Sequence, residues 1–183
     1  AAVSAPVIGC DLSLPLAARA AAHGATVVAR LPDLRWLKTG AVDGAYCVLV
    51  LEHLPTLDGF FEEVNRVVRD EGSLVVISNH PAYTAPGAGP IIDQSDGEVL
   101  WRWGPYFTAA SDEAPAGDQK VTFHHRPLGS VLNAAAGAGW SLEQLEERGL
   151  GPDSVARHPG MAGQEHMPRL LGIRWGKTPA ATV

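Results

Sequence analysis

The sequence predicts an α/β fold in which a doubly wound, mostly parallel sheet ends on an antiparallel strand. Short β-branched runs alternate with helical segments through the first third of the chain, a pattern typical of parallel strands joined by crossover helices. Residues 45–51 (AYCVLVL) form a continuous apolar run, as expected of a central strand covered on both faces. Two strand-like runs near the end flank a polar connection with Pro152 and Pro159, which predicts a closing, hairpin-like pair.

The individual elements follow from residue type and spacing. The predicted strands are short runs of β-branched and apolar residues, at residues 7–10, 26–29, 45–51, 73–78, 141–146 and 170–175. The predicted helices have apolar residues at helical spacing or an alanine bias, and they span residues 14–22, 57–69 and 128–138. Ser13 and Thr56 precede the first two helices and are their predicted N-caps.

Length and composition limit the possible functions. A chain of 183 residues that is 46% hydrophobic predicts a single domain, residues 1–183. The net charge is −6 and the basic residues are scattered, so we expect no nucleic-acid partner. No apolar stretch approaches the roughly 20 residues that cross a membrane. Cys10 and Cys47 lie in apolar runs, as free thiols of a reducing compartment do, so we expect a cytoplasmic protein of unspecified oligomeric state.

Residues 81–119 break the alternating pattern. They are rich in proline and glycine and carry a group of aromatic residues, which argues against disorder. We interpret this insertion as a lid or a substrate wall. Its aromatic side chains either pack the lid itself or line an apolar substrate pocket, and they are Tyr83, Trp101, Trp103 and Tyr106.

The first predicted strand, in the stretch VIGCDLS, ends on the carboxylate of Asp11. In open α/β sheets ligands bind outside the carboxyl ends of the strands, where an acidic residue can accept hydrogen bonds from a ribose diol. Alternatively, the dipole of the following helix favours a negative charge at this position. The residues alone leave both interpretations open.

Two histidines also follow predicted strands, His53 and His80. Each is a candidate for orienting a substrate or accepting its proton, or else is a turn residue that bonds a neighbouring carbonyl. His124 and His125 are adjacent on an extended segment, so their side chains point to opposite faces and cannot share one ion without distortion. We therefore expect no metal site.

Four stretches in this order carry a family resemblance: VIGCDLS, VDGAYCVLVLEHLPTLDGFFEEVNRVVRDEGSLVVIS, VTFHHRPLGSVLNAAAGAGWSLEQLEE and PRLLGIRWGK. Together they resemble the class I S-adenosylmethionine-dependent methyltransferases, of the small-molecule type (methyltransferase type 11-like). The resemblance covers nearly all of the chain outside residues 81–119. It implies a Rossmann-like sheet and transfer of a methyl group from S-adenosylmethionine to a small molecule, with O-, N- and C-methylation all open.

The resemblance also implies which residues contact the cofactor. Asp11 would hold the ribose hydroxyls and Leu12 would lie against the adenosine. Arg30 occupies the position where the family places an acidic adenine contact, so Asp33 or the main chain would take that role. The full implied set is Asp11, Leu12, Arg30, Leu31, Val50, Leu51 and Glu52, with Glu52 and His53 beginning the turn that faces cofactor and substrate.

Two departures from the family pattern qualify these expectations. The acidic adenine contact is replaced by Arg30, and the glycine-rich loop that should precede Val7 is not found among residues 1–6. We therefore expect the first strand and helix of the family to be missing, and cofactor binding by this chain to be weak or absent. The resulting gap in the sheet would be closed by direct pairing, by a partner, or not at all.

Two other classes of function stay open. In a nicotinamide-dependent Rossmann oxidoreductase, Asp11 would hold the ribose of NAD(P) instead. The closing antiparallel strand and the LEHL turn at residues 51–54 argue against it. A non-catalytic interaction module or pseudo-enzyme would fit the missing loop.

Overall fold

The computed structural model describes residues 6–116 and 119–178, so the predicted domain limits and the expected glycine loop lie outside the described residues. The strands are β1 (Ile8–Asp11), β2 (Ala25–Val28), β3 (Val42–Val48), β4 (Val68–Asn79), β5 (Gly89–Ile92), β6 (Val99–Arg102), β7 (Ala110–Ala116), β8 (Gln119–His125), β9 (Trp140–Arg148) and β10 (Leu170–Lys177). The helices are α1 (Leu14–Ala20), α2 (Phe60–Val67), α3 (Pro81–Thr84), α4 (Leu128–Gly137) and α5 (Pro152–Arg157), with 3-10 turns at Leu51–His53 and Pro159–Met161. None of the helices in the described part of the chain is long and apolar enough to cross a membrane.

The largest sheet has the strand order β3-β4-β10-β9. β3 runs parallel to β4, whereas β10 is antiparallel to both β4 and β9, so β3, β4 and β9 share one direction. β1 and β2 pair in parallel in a separate two-stranded sheet, with α1 connecting them. The predicted α/β fold with an antiparallel last strand is confirmed. Within the described residues, the gap is not closed by pairing between β1 and β3.

The main hydrophobic core lies between the four-stranded sheet and the helices α2 and α4. α2 buries Phe60, Phe61, Val64 and Val67, which recur at helical spacing on one face. Trp175 of β10 is 1% exposed, and its ring meets that of Phe61 edge to face with centroids 5.6 Å apart. This packing holds β4 and β10 in place, and the ends of these strands carry much of the candidate site.

The helix α2 begins later than predicted. Thr56 does not cap it, because the Thr56 hydroxyl accepts a hydrogen bond from the N–H of Asp58 at 3.0 Å, in a turn before the helix. Gly59 is the N-cap, with a φ of 75° that favours glycine, and the helix starts at Phe60. It ends where the long strand β4 begins. The predicted helix over residues 57–69 is therefore wrong at both ends.

Residues 81–119 contain more regular structure than the sequence predicts. After the short helix α3, the chain forms two antiparallel hairpins, β5–β6 and β7–β8. Proline and glycine obscure the period-two pattern here, since β5 reads GPII with Pro90 opposite Trp101. β8 extends beyond residue 119 and lies against the 3-10 turn Leu51–His53, so this strand forms one wall of the region where β3 ends.

Candidate active site

The polar residues that could bind a ligand lie where parallel strands end. Asp11 is the last residue of β1, and its carbonyl accepts the N–H of Ala29, just past β2, at 3.1 Å. Glu52 and His53 follow β3 in the 3-10 turn, and Asn79 ends β4. Open α/β sheets bind ligands outside the carboxyl ends of their strands, so these residues mark the candidate site.

Asp11 is partly buried and has one free carboxylate oxygen. Its Oδ1 accepts the backbone N–H of Ser13 at 2.7 Å, and Ser13 is the N-cap of α1. The interpretation of Asp11 as a helix-terminal charge therefore explains the hydrogen bond to Oδ1 only. No described residue donates a hydrogen bond to Oδ2, which leaves that oxygen available to a ligand. The neighbouring Leu12 side chain is 56% exposed and equally accessible.

A shallow cleft of about 590 Å³ lies beyond the end of β2. It is lined by Val28, Ala29, Arg30, Leu31, Pro32, Asp33, Arg35, Trp36 and Glu63, and so includes the predicted Arg30 and Leu31. Asp33, the alternative adenine contact, is paired with Arg35 through Nη2–Oδ2 and Nε–Oδ1 distances of 2.6 and 2.9 Å. The hydrogen bonds from Arg35 lower the pKa of Asp33 to about 2. An adenine amine would have to compete with Arg35 for this carboxylate.

Glu52 is buried at the end of β3, with 7% of its surface exposed. Its Oε1 accepts two hydrogen bonds from Asn79, one from the backbone N–H at 3.2 Å and one from Nδ2 at 2.7 Å. Its Oε2 is buried and has no hydrogen-bond partner among the described residues. The carboxyl group is thus fixed in orientation by one oxygen while the other lacks a donor.

The turn that carries Glu52 is held by Arg126, the residue that follows β8. The Arg126 guanidinium donates to the carbonyls of Leu51, at 3.4 Å, and of Leu54. Burial lowers the pKa of Arg126. The Leu51 side chain is 4% exposed and belongs to the hydrophobic core, and Val50 is partly buried against that core. Val50, Leu51 and Glu52 are the implied cofactor contacts at the end of β3. Because its side chain belongs to the core, Leu51 can offer a ligand only its backbone.

His53 is exposed, and its ring is oriented by β8. Nδ1 lies 2.9 Å from the carbonyl oxygen of Thr122, and the ring packs on Phe123 with centroids 4.7 Å apart. A carbonyl can only accept, so Nδ1 carries a hydrogen and, in the neutral ring, Nε2 is an unprotonated acceptor. His53 therefore bonds a neighbouring carbonyl, as one interpretation expects, and the same bond leaves Nε2 suited to take a proton.

His80 is 5% exposed, and both of its ring nitrogens have partners. Nδ1 accepts the N–H of Ala82 at 3.0 Å, which makes His80 the N-cap of α3. Nε2 therefore carries the hydrogen and donates it to Glu147 Oε1 at 2.7 Å. His80 has no free lone pair for a substrate proton in this arrangement.

The four predicted aromatic residues fall into two groups. Tyr83 and Trp101 lie 6.2 Å apart, and the Arg169 guanidinium lies 4.1 Å from the ring centre of Tyr83 and 5.5 Å from that of Trp101. Trp103 and Tyr106 form a second pair, 6.4 Å apart, further along the insertion. The structure therefore does not bring the four rings together into one wall.

The cysteines and the remaining histidines do not form a metal site within the described residues, where no group of three or more His, Cys, Asp or Glu side chains is placed to hold an ion. His124 bonds Ser111 at 2.8 Å, whereas His125 bonds Tyr106 and Thr84 on the other face of β8.

Burial, and then the charge of Glu52, raises the pKa of Cys47 to about 12.

Sequence reasoning missed several residues of this region, Asn79, Thr122, Arg126, Glu147 and Arg169. Asn79 had a usable signal, because it follows the predicted strand at residues 73–78 at its carboxyl end. The others act through contacts between segments far apart in the chain, which spacing does not reveal.

Comparison with known proteins gives a consistent assignment. A family model described as a methyltransferase domain matches residues 1–76. An uncharacterized methyltransferase of Emericella nidulans is 29% identical over 119 residues, which are 62% of this chain and 35% of that protein. The chain thus spans about a third of the length of this curated relative.

Solved structures extend the similarity over nearly the whole chain. An S-adenosylmethionine-dependent methyltransferase from Mesorhizobium loti is 27% identical with a TM-score of 0.79, over 94% of this chain and 80% of that one. A structure from Listeria monocytogenes has a TM-score of 0.80 at 20% identity, over 95% of this chain and 80% of that one, and shares the fold. By sequence over residues 1–76 and by fold over nearly the whole chain, the chain is similar to S-adenosylmethionine-dependent methyltransferases.

Proposed function

We propose that the chain transfers a methyl group from S-adenosylmethionine to a small-molecule acceptor. The observation that carries the proposal is the set of polar side chains at strand ends, Asp11, Glu52 and Asn79, in a chain similar to S-adenosylmethionine-dependent methyltransferases. When bound, S-adenosylmethionine supplies a methyl group made electrophilic by the sulfonium. The protein has to hold the cofactor, align the acceptor and exclude water.

The residues present fit the parts of this cofactor. Oδ2 of Asp11 is a free acceptor for ribose hydroxyls, with Leu12 exposed beside it. Arg30 and Leu31 lie in the cleft beyond β2, whose partly apolar lining suits an adenine ring. The turn after β3 supplies the methionine side, through Glu52 together with the backbone of Val50 and Leu51.

For the acceptor, we assign the proton-accepting role to His53, because its Nε2 is free and its tautomer is set by Thr122. A hydroxyl acceptor would use this base, whereas a carboxylate or an amine acceptor would need none. His80 is a positioning residue in this proposal, since its two bonds tie α3 to Glu147. The substrate side is formed by the two aromatic pairs, Tyr83 with Trp101 and Trp103 with Tyr106.

We also propose that residues 1–183 act as one domain in the cytoplasm on a small molecule. The two cysteines of the described chain are free thiols, Cys10 and Cys47, which supports a reducing compartment. The shared core of α2, α4 and the four-stranded sheet supports a single folding unit.

Calorimetric titration with S-adenosylhomocysteine tests the proposal. Asp11→Ala should weaken binding by about 1–3 kcal/mol, the cost of lost hydrogen bonds to a charged group. Asp58→Ala removes the same group at an exposed loop position and serves as the matched control. Equal affinity of wild type and Asp11→Ala would rule out the ribose assignment. Tighter binding of NAD⁺ than of S-adenosylhomocysteine would favour the oxidoreductase alternative instead.

A further inference from the structure

The carboxyl group of Glu52 is unusual among the buried polar groups of the described chain. Only two buried side-chain atoms there lack a hydrogen-bond partner, Oε2 of Glu52 and Nε of Arg169. Buried polar groups are nearly always paired, and an unpaired one calls for an explanation. Arg169 has one, since its cation lies over Tyr83 and Trp101 and its Nη2 donates to Gln164.

Three basic side chains around the turn that carries Glu52 bond other partners. Arg126, which follows β8, donates to backbone carbonyls of the same turn, and His53 is turned towards Thr122. His80, at the end of β4, donates to Glu147. Arg126, His53 and His80 therefore already have partners other than Glu52.

The orientation of the Glu52 carboxyl group is fixed rather than free. Two donors of Asn79, one from the backbone and one from the side chain, both bond Oε1. Rotation of the carboxyl group to satisfy Oε2 would break both bonds. Two donors therefore fix the carboxyl group through Oε1, and Oε2 stays unpaired near the carboxyl ends of β3 and β4. Ligands of open α/β sheets bind outside these strand ends.

We propose that Oε2 of Glu52 receives a protonated amino group of a ligand. A neutral hydroxyl would satisfy the hydrogen bond but leave the buried negative charge uncompensated, whereas an ammonium group supplies both the donor and the opposite charge. Two sources offer this chemistry, the methionine amino group of the cofactor and an amino group on the methyl acceptor. The naming of both sources rests on the proposed function, whereas the preference of Glu52 for an ammonium group does not.

Glu52→Gln is the direct test. The glutamine keeps the shape and can still accept from Asn79, but it places an N–H₂ donor where Oε2 stood. Glu62→Gln, on the exposed face of α2, removes the same charge and is the matched control. Binding is measured by calorimetry for S-adenosylhomocysteine and for its analogue without the amino group. In a second arm, 2-phenylethylamine and 2-phenylethanol are titrated with and without saturating S-adenosylhomocysteine.

Glu52→Gln should weaken the amino-bearing member of one pair about tenfold or more and leave its partner without the amino group within about twofold. Selective loss in the nucleoside pair identifies the cofactor as the source, and selective loss in the phenylethyl pair identifies the acceptor. If neither pair shows a selective loss, the inference is overturned. If wild type binds no S-adenosylhomocysteine but retains a Glu52-dependent preference for the amine, the proposed function fails and the inference stands.

A ligand-free measurement checks the same point independently. Because Oε2 has no partner without ligand, Glu52→Gln should unfold at a temperature equal to or higher than wild type. A clearly lower midpoint, with Glu62→Gln unchanged, would mean that the protein itself compensates this carboxyl group and would overturn the inference.

Discussion

Two regions of the molecule carry similar sequence patterns and very different packing. Among the described residues of the β1–α1–β2 unit, Ala17 is the only buried hydrophobic residue, and Leu14 is 67% exposed. In the four-stranded sheet, Trp175, Leu74 and Ile173 are at most 2% exposed. Both regions also expose apolar residues on a strand, since Ile8 on β1 is 48% exposed and Tyr46 on β3 is 72% exposed.

The difference shows which candidate-site residues follow strands that are packed into the main core. Glu52, Asn79 and His53 extend from strands fixed by the main core, whereas Asp11 extends from a unit with few buried contacts. Regions with little buried apolar surface open at a low cost in free energy. A ligand bound at Asp11 would therefore be held less firmly than one bound at the end of β3.

Truncation of a core side chain should give the largest effect. Trp175→Ala removes a fully buried ring that packs on Phe61 and should lower the free energy of unfolding by about 3–5 kcal/mol. Leu14→Ala, in the β1–α1–β2 unit, should change it by less than about 0.5 kcal/mol. Urea denaturation measures both. Comparable losses would contradict the contrast between the two regions.

The reactivities of Cys10 in β1 and Cys47 in β3 test the same difference between the two regions. The pKa of Cys47 in β3 is about 12, three units above its ordinary value of 9.0, so alkylation at pH 8 should be slowed by about a thousandfold. Burial also raises the pKa of Cys10 in β1, but this side chain is only partly buried. Iodoacetamide should label the Cys47→Ser variant, which retains Cys10, faster than Cys10→Ser. In urea the two rates should converge, and equal rates in the folded state would disagree with the structure.

Most of the fold could be predicted because its elements have local signatures. The runs ending at Asp11 and at Asn79 end strands in the structure, and residues 170–175 form the antiparallel β10. Local sequence patterns do not show which strands pair with each other. The sequence therefore did not predict whether β1 and β2 join the four-stranded sheet. The start of α2 was missed because the left-handed Gly59 overrides a reasonable N-cap at Thr56.

The candidate site was less predictable than the fold. Strand ends pointed to Asp11, Glu52 and His53, because that rule depends only on the order of elements. The bond between His53 and Thr122, and the pinning of Glu52 by Asn79, join segments 69 and 27 residues apart in the chain. Such contacts determine which lone pairs are free, and only the packed structure reveals them.

Gly72 and Gly9 test how tightly the backbone is packed in the two regions. A Cβ on Gly72, in β4, would clash with Val68 and lie 2.7 Å from the carbonyl oxygen of Asp43. Gly72→Ala should therefore lower the free energy of unfolding by about 1–3 kcal/mol. A Cβ on Gly9, in β1, meets nothing closer than 3.6 Å, so Gly9→Ala should be nearly neutral. A neutral Gly72→Ala in urea denaturation would show that the start of β4 is looser than described.

Two arginine–carboxylate pairs give the smallest expected difference in stability. Arg35 bonds only Asp33, and 84% of its side chain is exposed. Arg66 bonds Glu63 and also donates to the carbonyls of Leu34 and Leu37, at 3.0 and 2.9 Å. The second pair thus fastens the loop after β2 to α2, while the first is an ordinary surface pair.

Titration separates the local effect of the first pair from stability. The pKa of Asp33 is lowered to about 2, so the pairing stabilises the folded state above the unfolded pKa of about 3.9 and is lost as the pH falls through about 2. In Arg35→Gln, the carboxyl resonance of Asp33 should titrate near 3.9 by NMR, with the thermal midpoint at pH 7 unchanged. Arg66→Gln should lower that midpoint, because two backbone carbonyls lose their donor. A larger fall of the thermal midpoint in Arg35→Gln than in Arg66→Gln would mean that the cleft beyond β2 depends on Asp33 and Arg35 for its shape. The proposed adenine site and the stability of the fold would then depend on the same ion pair.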